Sequence, residues 1–200
     1  MLGNDVVDLA DRDTRADALH PGFDDRVLAP DERRWLRASP QRERDRWVLW
    51  AAKESAYKAA RRLDQHVVFS PIRFAVRLRS DPRGFEGHVS YAGQRFSVSV
   101  EVGTHFVHAV CRVEPWAGAA PLCAVRVVPG DVALAPAAAS AEVRRLARRA
   151  IAATLDLAPT SLSFGRSGRL PVLRVRGRAN GSVLSLSHHG RCAAFAVALP

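Results

Sequence analysis

Residues 42–63 contain no glycine or proline and are rich in alanine and long unbranched side chains, which predicts one long helix from about Arg42 to Leu63. After it the hydrophobic period changes. The runs "IRFAVRL", "FEGHVSYA", "RFSVSVEV" and "HFVHAVCRV" alternate in the manner of antiparallel strands and are broken at Asp81-Pro82-Arg83-Gly84 and at Ala92-Gly93. A segment "PWAGAAP", residues 115–121, reads as a linker, and beyond it the order partly recurs. A strand "LCAVRVV" leads through a Pro/Ala-rich loop to a second helix "SAEVRRLARRAIAATLDL", with Ser140 as its expected N-cap. "SPIRFAV" from Ser70 and "TSLSFGR" from Thr160 match at an offset of 90, and "GTHFVHAVC" from Gly103 and "GRCAAFAVA" from Gly190 at 87. Two matches at nearly one offset predict a duplicated α+β unit. The expected fold class is therefore α+β, a pseudo-dimer of two similar halves, each an antiparallel sheet packed on a long helix. The halves are 1–114 and 122–200, joined by 115–121.

At the N-terminal end, "NDVVDLA" reads as a strand and "FDDRVLAPDERRWLRAS" as a short helix starting near Pro30 and Asp31. No apolar run reaches the ~20 residues of a bilayer span, and the first residues lack the apolar segment of a signal peptide, so a cytoplasmic location without membrane contact is expected. Cys111, Cys123 and Cys192 form no CxxC pair and point to neither a disulfide framework nor a zinc site. A net charge of +10 favours an anionic partner: nucleic acid, a phosphorylated ligand or an acidic protein.

Within the long helix, Trp47, Trp50, Glu54, Lys58 and Arg61 fall along one stripe. Two tryptophans mark a face that is normally buried, yet a carboxylate and an ammonium continue it. As an exposed i,i+4 pair, Glu54 and Lys58 would contribute about 0.2–0.5 kcal/mol and mean nothing more. Asp5, ahead of an apolar strand segment, offers a second carboxylate from a separate element. Two such groups are what Mg²⁺ takes from a protein when phosphate oxygens and water complete its shell.

In "VLSLSHHGRCAAFAV", alternation sends Ser185 and Ser187 to one side and leaves Ser187, His188 and His189 at a strand end, where a phosphate-binding turn fits better than a serine nucleophile, since the GxSxG elbow is absent. "FGRSGRLP" reads as a loop whose Arg166 and Arg169 could grip another phosphate. Arg144, Arg145, Arg148 and Arg149 make a basic helical patch, a pattern usual for a solvated face; few aromatics accompany it, which argues against nucleic-acid binding.

Together, "GNDVVDL", "WAAKESAYK" and "LSLSHHG" resemble the motifs of the 4′-phosphopantetheinyl transferases: G-x-D, then W-x-x-K-E-[SA]-x-x-K, with a separate S-H-[ST]-G-like turn. "FDDRVLAPDE" also resembles the segment before the KE helix in the carrier-protein synthase branch. The resemblance implies transfer of the phosphopantetheine arm of coenzyme A to a serine of an acyl or peptidyl carrier protein, with Mg²⁺. By motif, Asp5 and Glu54 would hold the metal, and Glu54 would help deprotonate the carrier serine. Lys58 would neutralise phosphate charge, Lys53 would be a phosphate or outer-shell contact, and Ser187 and His188 would bind the nucleotide end of coenzyme A, with Arg166 or Arg169 as the basic residue of a Gly-[KR]-Pro-like turn.

The sequence departs from the family pattern at Val7, where larger members carry an acid, at Leu170 inside the basic turn, and at His189, where Ser or Thr is usual. Its order also differs: G-x-D comes first in a chain of double length, as if the two halves were joined in swapped order, and a complete pseudo-dimer is expected to work as a monomer. The competing expectations are a non-catalytic relative that binds coenzyme A or a carrier protein, and a basic nucleic-acid-binding module.

Overall fold

A computed structural model describes all residues 1–200. The chain is α+β with antiparallel sheets. Strand β1 (Leu2–Asp8) is followed by two short helices, α1 (Phe23–Val27) and α2 (Pro30–Ala38), where the sequence pattern predicts one. Pro30 at the first helical position, with Glu32 reaching back to the Ala29 N–H at 2.7 Å, starts α2 afresh. Helix α3 (Arg42–Leu63) follows as its composition predicts, then β2 (Ala75–Asp81), β3 (Gly84–Tyr91), β4 (Gln94–Val102) and β5 (Phe106–Val113). With β1 they form one sheet in the order β1-β5-β4-β3-β2, and α3 covers it over a core of strand valines, helix alanines and the aromatics Trp47, Phe74 and Phe96.

Residues 114–121 form no regular element. Beyond them come β6 (Leu122–Val127), α4 (Pro136–Thr154), β7 (Leu162–Ser167), β8 (Leu170–Val175), β9 (Arg178–Ala179), β10 (Val183–His189) and β11 (Cys192–Ala198). They make two small sheets, β10-β11-β6 and β7-β8-β9, with a second core under α4. Two expectations are corrected here. Ser140 is not the N-cap of α4, because Pro136 at the first helical position starts the helix a turn earlier; Ser140 lies inside it and accepts from Arg144. "FGRSGRLP" is not a loop but the tip of a β7–β8 hairpin, with Gly168 in its turn at φ +57°.

The two α3 and α4 units meet along β1. Small apolar clusters join Leu2 and Val110 to Ala196, and Val6 to Cys192 and Ala194, so the start of the chain lies against its end. Strand β1 is an edge strand, and on its open side the N–H groups of Asn4, Val6 and Asp8 donate to Ser185 Oγ (3.0 Å), Ser187 Oγ (3.3 Å) and His189 Nδ1 (3.1 Å). Three alternate side chains of β10 thus take the place of a neighbouring strand and satisfy backbone donors that burial would leave costly. At the far end, buried Asp8 is held by Arg191 through both carboxylate oxygens.

Candidate active site

Gly3 explains how the site assembles. A side chain there would meet the Ser55 carbonyl oxygen at 2.1 Å and the Ala59 nitrogen at 2.7 Å, so only glycine lets β1 lie directly on α3. That approach sets Asp5, two residues on, beside the polar end of the helical stripe. Asp5, Glu54 and Lys58 line one cavity of about 350 Å³, walled by Val6, Val7, Trp47, Trp50 and Leu186 and closed from β10 by Ser187, His188 and His189. Trp47 and Trp50 pack edge to face, and the Trp47 indole donates to the Thr14 carbonyl at 3.0 Å, which fixes the wall.

Lys58 Nζ donates to Asp5 Oδ1 at 2.6 Å and to Ser187 Oγ at 3.2 Å, and Ser187 donates to the same Asp5 oxygen at 2.9 Å. Glu54 forms neither a hydrogen bond nor an ion pair. Burial first, and then the negative charge of Asp5, push its pKa up to about 7, partly offset by Lys58. His188 is shifted down by burial and by the positive charges of Lys58, His189 and Arg144. A carboxylate near neutrality beside a second carboxylate, in a cavity with cations at its rim, is an arrangement for a proton acceptor and an anionic ligand.

The donor set also bears on a metal. No set of three or more His, Cys, Asp and Glu side chains is gathered for a metal anywhere in the chain. Two carboxylates facing one cavity, one of them without a hydrogen-bond partner and with its pKa raised by burial and then by the other's charge, nevertheless fit Mg²⁺, a hard cation that binds through one or two carboxylates plus water and phosphate oxygens. Val7 packs in the core, and Asp8 is spent on Arg191, so neither adds a ligand.

Of the expected ligand contacts, Ser187 and His188 line the cavity, and Lys53, Arg166 and Arg169 do not. Lys53 does not reach the cavity: its ammonium is fully buried, paired with Glu32 at 2.7 Å, and donates to the Pro71 and Phe74 carbonyls. Five residues from Lys58, and so about 140° around the helix from it, Lys53 points into the core between α2 and β2. Arg166 and Arg169 are exposed on the β7–β8 hairpin, and neither lines the cavity. The hydroxyl of Ser187 is at the cavity but already occupied within the protein. Arg144 of α4, also outside the cavity lining, stands close enough to His188 for its charge to act on the imidazole. The basic run of α4 was the only signal of it in the sequence, and a basic run alone reads as a solvated face.

A family model described as the 4′-phosphopantetheinyl transferase superfamily matches residues 1–111. The chain belongs to this superfamily. The match covers β1 through most of β5, and therefore Asp5, Glu54 and Lys58, while the β10–β11 turn lies outside it. Comparison with curated proteins gives no match. At the level of the superfamily the protein is a phosphopantetheine transferase, and no helix is long and apolar enough to cross a membrane.

Proposed function

We propose that the protein transfers the phosphopantetheine arm of coenzyme A to a serine of an acyl or peptidyl carrier protein, in an Mg²⁺-dependent reaction at the Asp5–Glu54–Lys58 cavity. The observation that carries this reading is the convergence of two carboxylates from separate elements, one with its pKa near 7, with a lysine and the His188 end of β10. Glu54 accepts the proton of the carrier serine hydroxyl, directly or through one water. The serine oxygen forms a bond to the β-phosphorus of coenzyme A as the bond from that phosphorus to the bridging oxygen breaks. Adenosine 3′,5′-bisphosphate leaves with the electron pair. Lys58 offsets charge on the pyrophosphate. His188 holds the nucleotide end, with the positive charge of Arg144 acting beside it. Asp5 and Glu54 would hold Mg²⁺, which when bound supplies positive charge to the phosphate oxygens.

We read the two units, 1–114 and 122–200, as a duplicated half joined in swapped order. The neighbour order β1-β5-β4-β3-β2 of the first unit and β6-β11-β10, followed by β8 against β10, in the second supports this, as does a 3-10 turn after each long helix. Both units contribute to one cavity in a single chain, which supports activity as a monomer. Incubation with coenzyme A, Mg²⁺ and a panel of apo carrier domains, followed by mass spectrometry, is expected to show the phosphopantetheine adduct on a carrier serine; absence of an adduct on every carrier would favour a binding-only relative.

A further inference from the structure

We propose that Ser187 is a positioning residue, whose hydroxyl aims the Asp5 carboxylate from across the joint between the two units instead of contacting substrate. A serine hydroxyl has one proton to give and two lone pairs to offer. Here all three are used: Ser187 donates to Asp5 Oδ1 at 2.9 Å and accepts from Lys58 Nζ at 3.2 Å and from the Val6 N–H at 3.3 Å. The side chain is buried, 6% exposed, and a phosphate oxygen could bind it only by breaking one of these bonds.

The consequence falls on Asp5. Its Oδ1 takes both the Ser187 hydroxyl and the Lys58 ammonium, so Oδ2 is the oxygen left without a protein partner. Two bonds from different elements fix the carboxylate's rotation, and groups that orient a ligand in this way govern metal affinity without touching the metal. The bond to the Val6 N–H makes Ser187 a rung of the ladder that seats β10 on β1, so the register of that joint is transmitted to the carboxylate. Ser185 and His189 make equivalent rungs, to Asn4 and Asp8, but neither bonds to Asp5. Ser185 is therefore the internal control for a purely structural role.

The inference rests on the metal assignment within the proposed transfer, and its test reads binding, so that it stays separate from the transfer assay. Mn²⁺ affinity of the protein–coenzyme A complex is measured by the electron paramagnetic resonance of free Mn²⁺, and coenzyme A affinity of the metal-free protein by calorimetry. Ser187→Ala is expected to weaken Mn²⁺ about tenfold or more and to leave metal-free coenzyme A binding within about twofold. Ser185→Ala is expected to lower the melting temperature comparably and leave Mn²⁺ affinity unchanged. Ser187→Thr keeps the hydroxyl and is expected to retain Mn²⁺ affinity, and Ser187→Cys, a weaker donor of similar size, to give an intermediate loss even if Ser187→Ala does not fold. Weaker coenzyme A binding with unchanged Mn²⁺ affinity in the Ser187 variants would make the hydroxyl a ligand contact and overturn the inference. Equal Mn²⁺ losses in the Ser185 and Ser187 variants, or no Mn²⁺ binding by the wild-type protein, would overturn it as well.

Discussion

Glu54 stands in α3 without a hydrogen bond or ion pair, and its pKa of about 7 lies above its ordinary value of 4.5 because burial, and then the Asp5 carboxylate, oppose ionisation by more than the Lys58 charge favours it. The folded protein therefore retains a proton between pH 4.5 and 7 that the unfolded chain has lost, so metal-free stability falls as pH rises through that window. Above pH 7 the full penalty is present, up to about 3 kcal/mol. Replacing the charge removes it. Metal-free Glu54→Gln is expected to melt several degrees above the wild-type protein at pH 8 and at the same temperature near pH 4.5, as followed by circular dichroism across pH. Equal melting temperatures at pH 8 would show that Glu54 ionises in the fold without strain. The same cost is what makes the position useful, since a carboxylate that is poorly satisfied by protein gains most from a cation or a substrate proton.

At the scale of elements, α3 does two jobs with neighbouring residues. Glu54 and Lys58 face the cavity, while Lys53 turns inward and its ammonium binds Glu32 of α2 and two carbonyls beside β2. Burial lowers the Lys53 pKa and the Glu32 charge raises it, so the cation persists only with its partner. Lys53→Met is expected to destabilise the protein by about 3–5 kcal/mol in urea unfolding, because it leaves buried Glu32 uncompensated, with Glu32→Gln added recovering part of the loss. The KM for coenzyme A of the folded fraction should stay unchanged, whereas a rise would return Lys53 to the phosphates. What was legible in the sequence followed from periodicity: α3, the four strands after it and the two that meet at Gly190, although the expected turn residues Ser187, His188 and His189 belong to β10 itself. The helical stripe also placed Glu54 and Lys58 on one face with the tryptophans. Lys53 was not legible, because its partner lies 21 residues away and is defined only by packing of α2. Ser140 misled because a good capping residue was outranked by a proline one turn earlier. Arg144 was hidden because His188 comes from a separate element, β10, and only tertiary structure brings a basic helix to a particular imidazole.

At the scale of the whole molecule, the site exists because β1 belongs to two packings at once. Gly3 lets it press on α3, and its open edge is sealed by Ser185, Ser187 and His189 from the other end of the chain. Gly190, in the β10–β11 turn at φ +54°, completes the joint, since a side chain there would meet the Asp8 and Asp11 carboxylates at 2.7 and 2.6 Å. The resemblance of three short motifs named the parts, while the reason they meet lies in this joint. The account is tested most directly by steady-state transfer of phosphopantetheine to an apo carrier domain, compared for the wild-type protein, Glu54→Gln and His188→Ala under saturating Mg²⁺. Glu54→Gln is predicted to lower kcat by about 10²–10⁴-fold with little change in the KM for coenzyme A, and His188→Ala to raise that KM with a smaller effect on kcat. Transfer at the wild-type rate by both variants would contradict the claim that residues from the two ends of the chain form one active site.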